Sequence, residues 1–210
     1  MHILFVQQEA GYTFGGIEAH IKELAKKLAK RGHKIIILTE KGPINTISEI
    51  EHLKNIKVVY LSKSIKLQSH KIRQFISTKT QKFNYLTKFL RLLNSSSWLI
   101  RTTYWILKNR NDFDVVSSHK YVNNVMLQII NKFVKVPYIS VLEGYDSIEA
   151  ENAGKSKIVI AISKFIQNKC KYVHGYTPYI IPIGVDLRRF QRINFNKVKQ
   201  IKRKFCSKNE

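Results

Sequence analysis

Seven short runs rich in β-branched residues recur along the chain, each separated from the next by a longer stretch: Ile3–Val6, Lys34–Leu38, Lys57–Tyr60, Asp114–Ser117, Tyr138–Leu142, Ile158–Ile162 and Tyr179–Pro182. No two-residue hairpin turn joins any neighbouring pair, so the strands must be connected by crossovers, which means a parallel sheet covered on both faces by helices. The expected class is α/β, doubly wound and Rossmann-like. The first crossover is the clearest. Ile17, Ile21, Leu24, Ala25, Leu28 and Ala29 form one apolar stripe at helical spacing, with Lys22, Lys26, Lys27 and Lys30 off it, and Gly32 ends it before the next strand begins at Lys34. No repeat or low-complexity linker divides the chain, so residues 1–190 read as one domain and 191–210 as a basic tail or the start of an interdomain linker.

The 210 residues carry 37 Lys+Arg against 14 Asp+Glu, a formal charge of +23. Such an excess points to polyanions: nucleic acid, anionic headgroups or phosphorylated substrates. The longest stretch without a formal charge, Tyr172 to Val185, contains two prolines and two glycines and is too short to span a bilayer. The N-terminus opens into Ile3-Leu4-Phe5-Val6 with no basic n-region and no long apolar h-region, so it reads as a strand and not as a signal peptide. Cys170 and Cys206 stand alone, with neither zinc nor disulfide spacing, so no zinc site and no disulfide framework is expected.

More than half of the net charge comes from one window. From His52 to Asn111 there are thirteen Lys and Arg and no acid. Within it, Phe83, Phe89 and Leu90 belong to a stripe at helical spacing, flanked by Lys71, Arg73, Lys82, Lys88 and Arg91. Two readings fit: an interfacial helix on an anionic membrane, or a helix packed on the sheet with a solvated basic face. Trp98, Tyr104 and Trp105 suit either.

In an open parallel sheet, ligands lie beyond the carboxyl ends of the strands. The loop after the first strand holds Tyr12 and ends in Gly15-Gly16 at a helix start, where backbone N–H groups can approach a phosphate. It is neither a dinucleotide fingerprint nor a Walker loop. The fourth strand delivers Ser117-Ser118-His119-Lys120, the fifth Glu143-Gly144-Tyr145-Asp146 and the sixth Ser163-Lys164. A carboxylate at such a rim can act as a base or accept a hydroxyl hydrogen bond, whereas Glu143 with Asp146 equally suits a cap on the following turn.

Five segments in order resemble the GT4-type glycosyltransferases: Gly15-Gly16-Ile17-Glu18-Ala19-His20; Arg31-Gly32-His33-Lys34-Ile35; Asp114 to His119; Val136 to Asp146; and Ile160 to Ser163 with Ile181-Pro182-Ile183-Gly184-Val185-Asp186. The resemblance implies the N-terminal half of a GT-B fold. By it, Gly15 and Gly16 face the diphosphate of a nucleotide-sugar donor. Tyr12, His119, Lys120, Glu143, Tyr145, Asp146, Ser163 and Lys164 line the acceptor cleft, with Glu143 and His119 as the catalytic candidates. It further implies retention of anomeric configuration without a required metal or cofactor, a lipid-linked or surface-glycan acceptor, and peripheral attachment to the cytoplasmic face of a membrane.

The sequence departs from the family pattern in several places. Glu143 stands where the family usually has His, the connection from Gly144 to Lys157 is short, and Ile183 replaces an Asn. Glu143 and Glu151 are eight apart, like the paired glutamates of the family's second domain, but lie between the fifth and sixth strands, in the wrong half. The chain stops where that second, donor-binding domain is expected, so it is expected to be either an excised piece of a longer enzyme or one subunit of a split one whose partner is a separate C-terminal domain, with little turnover alone. Two alternatives remain: a non-catalytic anchoring or regulatory partner of a split transferase, and a nucleic-acid binder, for which no helix-turn-helix, RNP or zinc signature is present.

Overall fold

The computed structural model describes residues 1–11, 13, 15–41, 45–61, 96–184 and 198–200. Seven strands form one sheet: β1 (His2–Val6), β2 (Lys34–Glu40), β3 (Ile56–Leu61), β4 (Val115–Ser118), β5 (Tyr138–Leu142), β6 (Ile158–Ala161) and β7 (Tyr179–Ile180). Their spatial order is β3-β2-β1-β4-β5-β6-β7, and every neighbouring pair is parallel. All seven expected strands are present, with ends moved by one or two residues. The shift at β4 matters most, because Ser117 and Ser118 lie inside the strand and the loop begins at His119.

Helices α1 (Gly16–Lys30) and α2 (Ser48–Glu51) cover one face. There Ile21, Ala25 and Ala29 of α1 pack with Phe5, Ile35 and Ile37 of the sheet. Helix α1 ends because Gly32 takes a left-handed conformation, φ +86°, letting Gly32 N–H bond Ala29 O and His33 N–H bond Leu28 O. On the other face, α3 (residues 96–108) and α4 (Tyr121–Asn131) bury Trp98, Ile106, Met126, Leu127 and Ile130 against Leu4, Val6, Leu38 and Val116. Helices α5 (Ser147–Ala153) and α6 (Lys164–His174) build a third cluster at Leu142, Val159 and Ala161.

Trp98 is therefore a core residue, 1% exposed, while Tyr104 stands 65% exposed on the same helix. Among the described residues, no helix is long and apolar enough to cross a membrane. The basic amphipathic stretch with Lys71, Arg73, Lys82, Phe83, Lys88, Phe89, Leu90 and Arg91 lies outside the described residues, as does Tyr12.

Candidate functional site

Strand order reverses direction between β1 and β4, the switch point at whose carboxyl ends a parallel sheet takes its ligands and where side chains from several loops can meet. On the β1 side, Gln7 is fully buried and its Nε2 donates to Glu18 Oε1 at 3.0 Å. Glu18 occupies the third position of α1. A Cβ built on Gly15 would fall 2.3 Å from Glu18 Oε2, so glycine at 15 lets this carboxylate sit under the turn. Gly15 and Gly16 are both exposed, and a Cβ on Gly16 would meet nothing within 4 Å. The positive pole of α1 thus already faces an internal carboxylate.

On the β4 side, His119 is 1% exposed and both ring nitrogens are engaged. Its Nδ1 lies 2.8 Å from Glu143 Oε1 at the end of β5, and its Nε2 lies 2.9 Å from Ser117 Oγ. The Glu143 side chain keeps 7% of its surface exposed while that of His119 keeps none, so the carboxylate is the outer member. His20, on α1, stands with its ring 6.1 Å from that of His119. Burial holds His20 below the ordinary histidine range; the Glu143 carboxylate opposes this shift and His119 adds to it.

Lys120 donates to Glu9 Oε2 at 2.6 Å, tying the loop after β4 to the loop after β1. Asp146 caps α5 by accepting from Glu149 N at 2.9 Å, and Ser163 caps α6 by accepting from Ile166 N at 3.3 Å. Lys164 is exposed in the first turn of α6. Tyr145 packs on the Leu142 cluster, with its hydroxyl 3.4 Å from His174 Nε2. Burial first, then Asp146 and Glu143, push the Glu149 carboxyl up to about 7, with Lys120 pulling the other way.

The rim thus joins His119 to Glu143 and Lys120 to Glu9, while Tyr145, Asp146 and Ser163 turn to packing and capping contacts. Glu151, eight residues after Glu143, is exposed on α5. The sequence reading missed a further pair. Glu40, 1% exposed at the end of β2, accepts from Arg101 Nη2 at 2.7 Å and from Gln8 Nε2 at 3.2 Å. A groove of about 450 Å³ lined by His2, Lys34, Asn55, Lys57, Asn111 and Asp112 lies at the amino ends of β1 to β3, away from the switch-point rim. No cluster of metal-ligating side chains occurs among the described residues.

A seven-stranded parallel sheet with polar residues gathered at its switch point defines a Rossmann-like α/β domain, matching the N-terminal half of GT-B glycosyltransferases. Residues 14–189 match the Glycosyltransferase Family 4 model, and the chain belongs to that family. HepE from Anabaena in complex with UDP-glucose superposes with a TM-score of 0.65 at 14% identity, over 100% of this chain and 51% of HepE. Sucrose-phosphate synthase from Thermosynechococcus elongatus gives 0.65 at 12% identity, over 95% of this chain and 52% of the synthase. MurG from Acinetobacter baumannii gives 0.53 at 11% identity, over 92% and 50%. The chain therefore spans about half the length of these neighbours. No curated protein matches it by sequence.

Proposed function

We propose that this domain holds the acceptor of a family 4 glycosyltransferase, whose donor is a nucleotide sugar bound chiefly by a C-terminal domain. The observation that carries the reading is Glu143, a carboxylate at the switch-point rim, backed by His119 at 2.8 Å and itself the partly exposed member of the pair. In the transfer, the acceptor oxygen bonds to the anomeric carbon. The bond from that carbon to the diphosphate oxygen breaks, its electron pair leaves on the nucleoside diphosphate, and the hydroxyl proton passes to Glu143. The exposed Gly15–Gly16 turn faces the diphosphate, with Glu18 bracing it from beneath. The acceptor is a lipid-linked or surface glycan.

The test is sugar transfer from a panel of radiolabelled nucleotide sugars to lipid and glycan fractions, by residues 1–210 alone and with a C-terminal domain supplied. Transfer that requires the second domain and falls in Glu143→Gln supports the reading. Undiminished transfer by residues 1–210 alone overturns the division of labour.

Peripheral attachment to the cytoplasmic face of a membrane belongs to the same proposal. On α3, Ile100 (69%), Tyr104 (65%) and Leu107 (44%) are exposed at i, i+4 and i+7, directly after the longest part of the acid-free window. Co-sedimentation with anionic liposomes that survives duplex DNA competition and weakens in Ile100→Ser with Leu107→Ser supports docking. Binding abolished by the DNA and unaffected by those changes leaves charge alone as its cause.

A further inference from the structure

Two polar groups stand behind Glu143 that the transfer itself does not touch. This inference rests on the reading of Glu143 as the group that receives the acceptor hydroxyl. Ser117 lies inside β4, 8% exposed, in register with Phe5 of β1 on one side and Ile139 of β5 on the other. Backbone ladders on both sides fix its Cα. The imidazole of His119 spans from that hydroxyl, at 2.9 Å, to Glu143 Oε1, at 2.8 Å. Phe5 and His20 flank the ring at centroid distances of 5.9 and 6.1 Å. Burying a serine and a histidine in this way is costly unless every polar atom finds a partner, and here one linear chain satisfies both.

Glu143 sits on a loop, where a carboxylate left to itself would sample several rotamers. We infer that Ser117 and His119 are positioning residues, which anchor one oxygen of Glu143 to the sheet and so present the carboxylate in one orientation to the acceptor. With the carboxylate accepting from Nδ1–H, Nε2 is left to pair with the Ser117 hydroxyl, which can donate to it or accept from it. The other titratable groups nearby are His20 on α1, Lys120, held by Glu9, Asp146 at the cap of α5 and Glu149 on α5.

The test has two arms. In the first, protein labelled with 15N-histidine is followed by long-range proton–nitrogen correlation. The expected spectrum has His119 protonated at Nδ1, with that form retained in Ser117→Thr, mixed with the other tautomer in Ser117→Ala, and stripped of its protected proton in Glu143→Ala. In the second, kinetics with the donor and acceptor found by the transfer assay should show Ser117→Ala lowering kcat about tenfold, with KM within about twofold, as misplacement of a reacting group does. Ser117→Thr should recover most of the loss. Wild-type His119 protonated only at Nε2 overturns the inference, as does a Ser117→Ala protein with unchanged spectrum and kcat, or a change in KM alone. Absence of transfer by the wild type with its second domain overturns the proposed function instead, and the spectral arm still decides whether the chain exists.

Discussion

Arg101 Nη2 lies 2.7 Å from Glu40 Oε1, so a guanidinium on α3 pins that helix to the carboxyl end of β2. Glu40 is 1% exposed, and its other oxygen accepts from Gln8. The pair thus also fixes the loop that leads toward Gly15. Removing one partner of a buried pair leaves the other charge uncompensated, so Arg101→Ala should cost about 3 kcal/mol of stability in urea denaturation. Arg101→Ala with Glu40→Leu should recover part of that loss. A single-variant cost below about 0.5 kcal/mol, the range of ordinary surface changes, would show that the pair is not structural.

Gly15 and Gly16 should respond differently to the same change. At Gly15 a methyl group collides with Glu18 Oε2, and Gly15→Ala should lose about 1 kcal/mol as the carboxylate is forced out from under the turn. In a Glu18→Ala background the penalty should vanish. Gly16→Ala meets open space at the first helical position and should be neutral or stabilise by about 0.5 kcal/mol. Equal losses at both positions in thermal melts would remove the argument for the buried carboxylate.

His20 reports on the rim without any ligand. Because burial lowers its pKa below 6.5 while Glu143 raises it, NMR titration should give a midpoint below that value, and Glu143→Gln should move it lower still. The folded state then binds fewer protons than the unfolded chain just below pH 6.5, so this group makes stability fall as the solution is acidified through that window. An unmoved midpoint in Glu143→Gln would place the two groups out of electrostatic reach.

Glu149 has the opposite sign. Its carboxyl is raised from 4.5 to about 7, so between those values the folded protein holds a proton that the unfolded chain has lost. Stability should therefore decline as pH rises through that interval, and Glu149→Gln should flatten the slope. Solvent still reaches the carboxyl, so the gain from Glu149→Gln at about pH 8 should be about 1 kcal/mol. A wild-type stability curve unchanged by Glu149→Gln would show that the carboxyl is not held protonated.

The strands and the first helix were legible because parallel strands buried on both faces are written as apolar runs, and Ile17 to Ala29 repeats at the helical period. The site was legible only as a set of loops. Nothing local distinguishes Asp146, which caps α5, from Glu143, which takes His119; the difference lies in which element packs opposite each. The expected fourth strand ends at Ser117, but the strand runs one residue further and takes in Ser118 as well. Arg101 could not be singled out from thirteen basic residues, because its partner is 61 positions away in sequence. Trp98 suited a membrane or a core equally until α3 was placed over Leu4, Val6 and Val116.

The most direct test of the central claim, that the β1–β4 switch point receives a sugar acceptor, is backbone amide mapping by NMR during titration with soluble mono- and disaccharides. The account predicts shifts confined to the amides of Gly16, His20, His119, Lys120 and Glu143, weakened at least tenfold in Glu143→Gln, as loss of a charged hydrogen-bond acceptor implies. Saccharides that leave those amides unmoved and shift instead Lys34, Asn55 and Lys57, in the groove at the opposite ends of the strands, would contradict it.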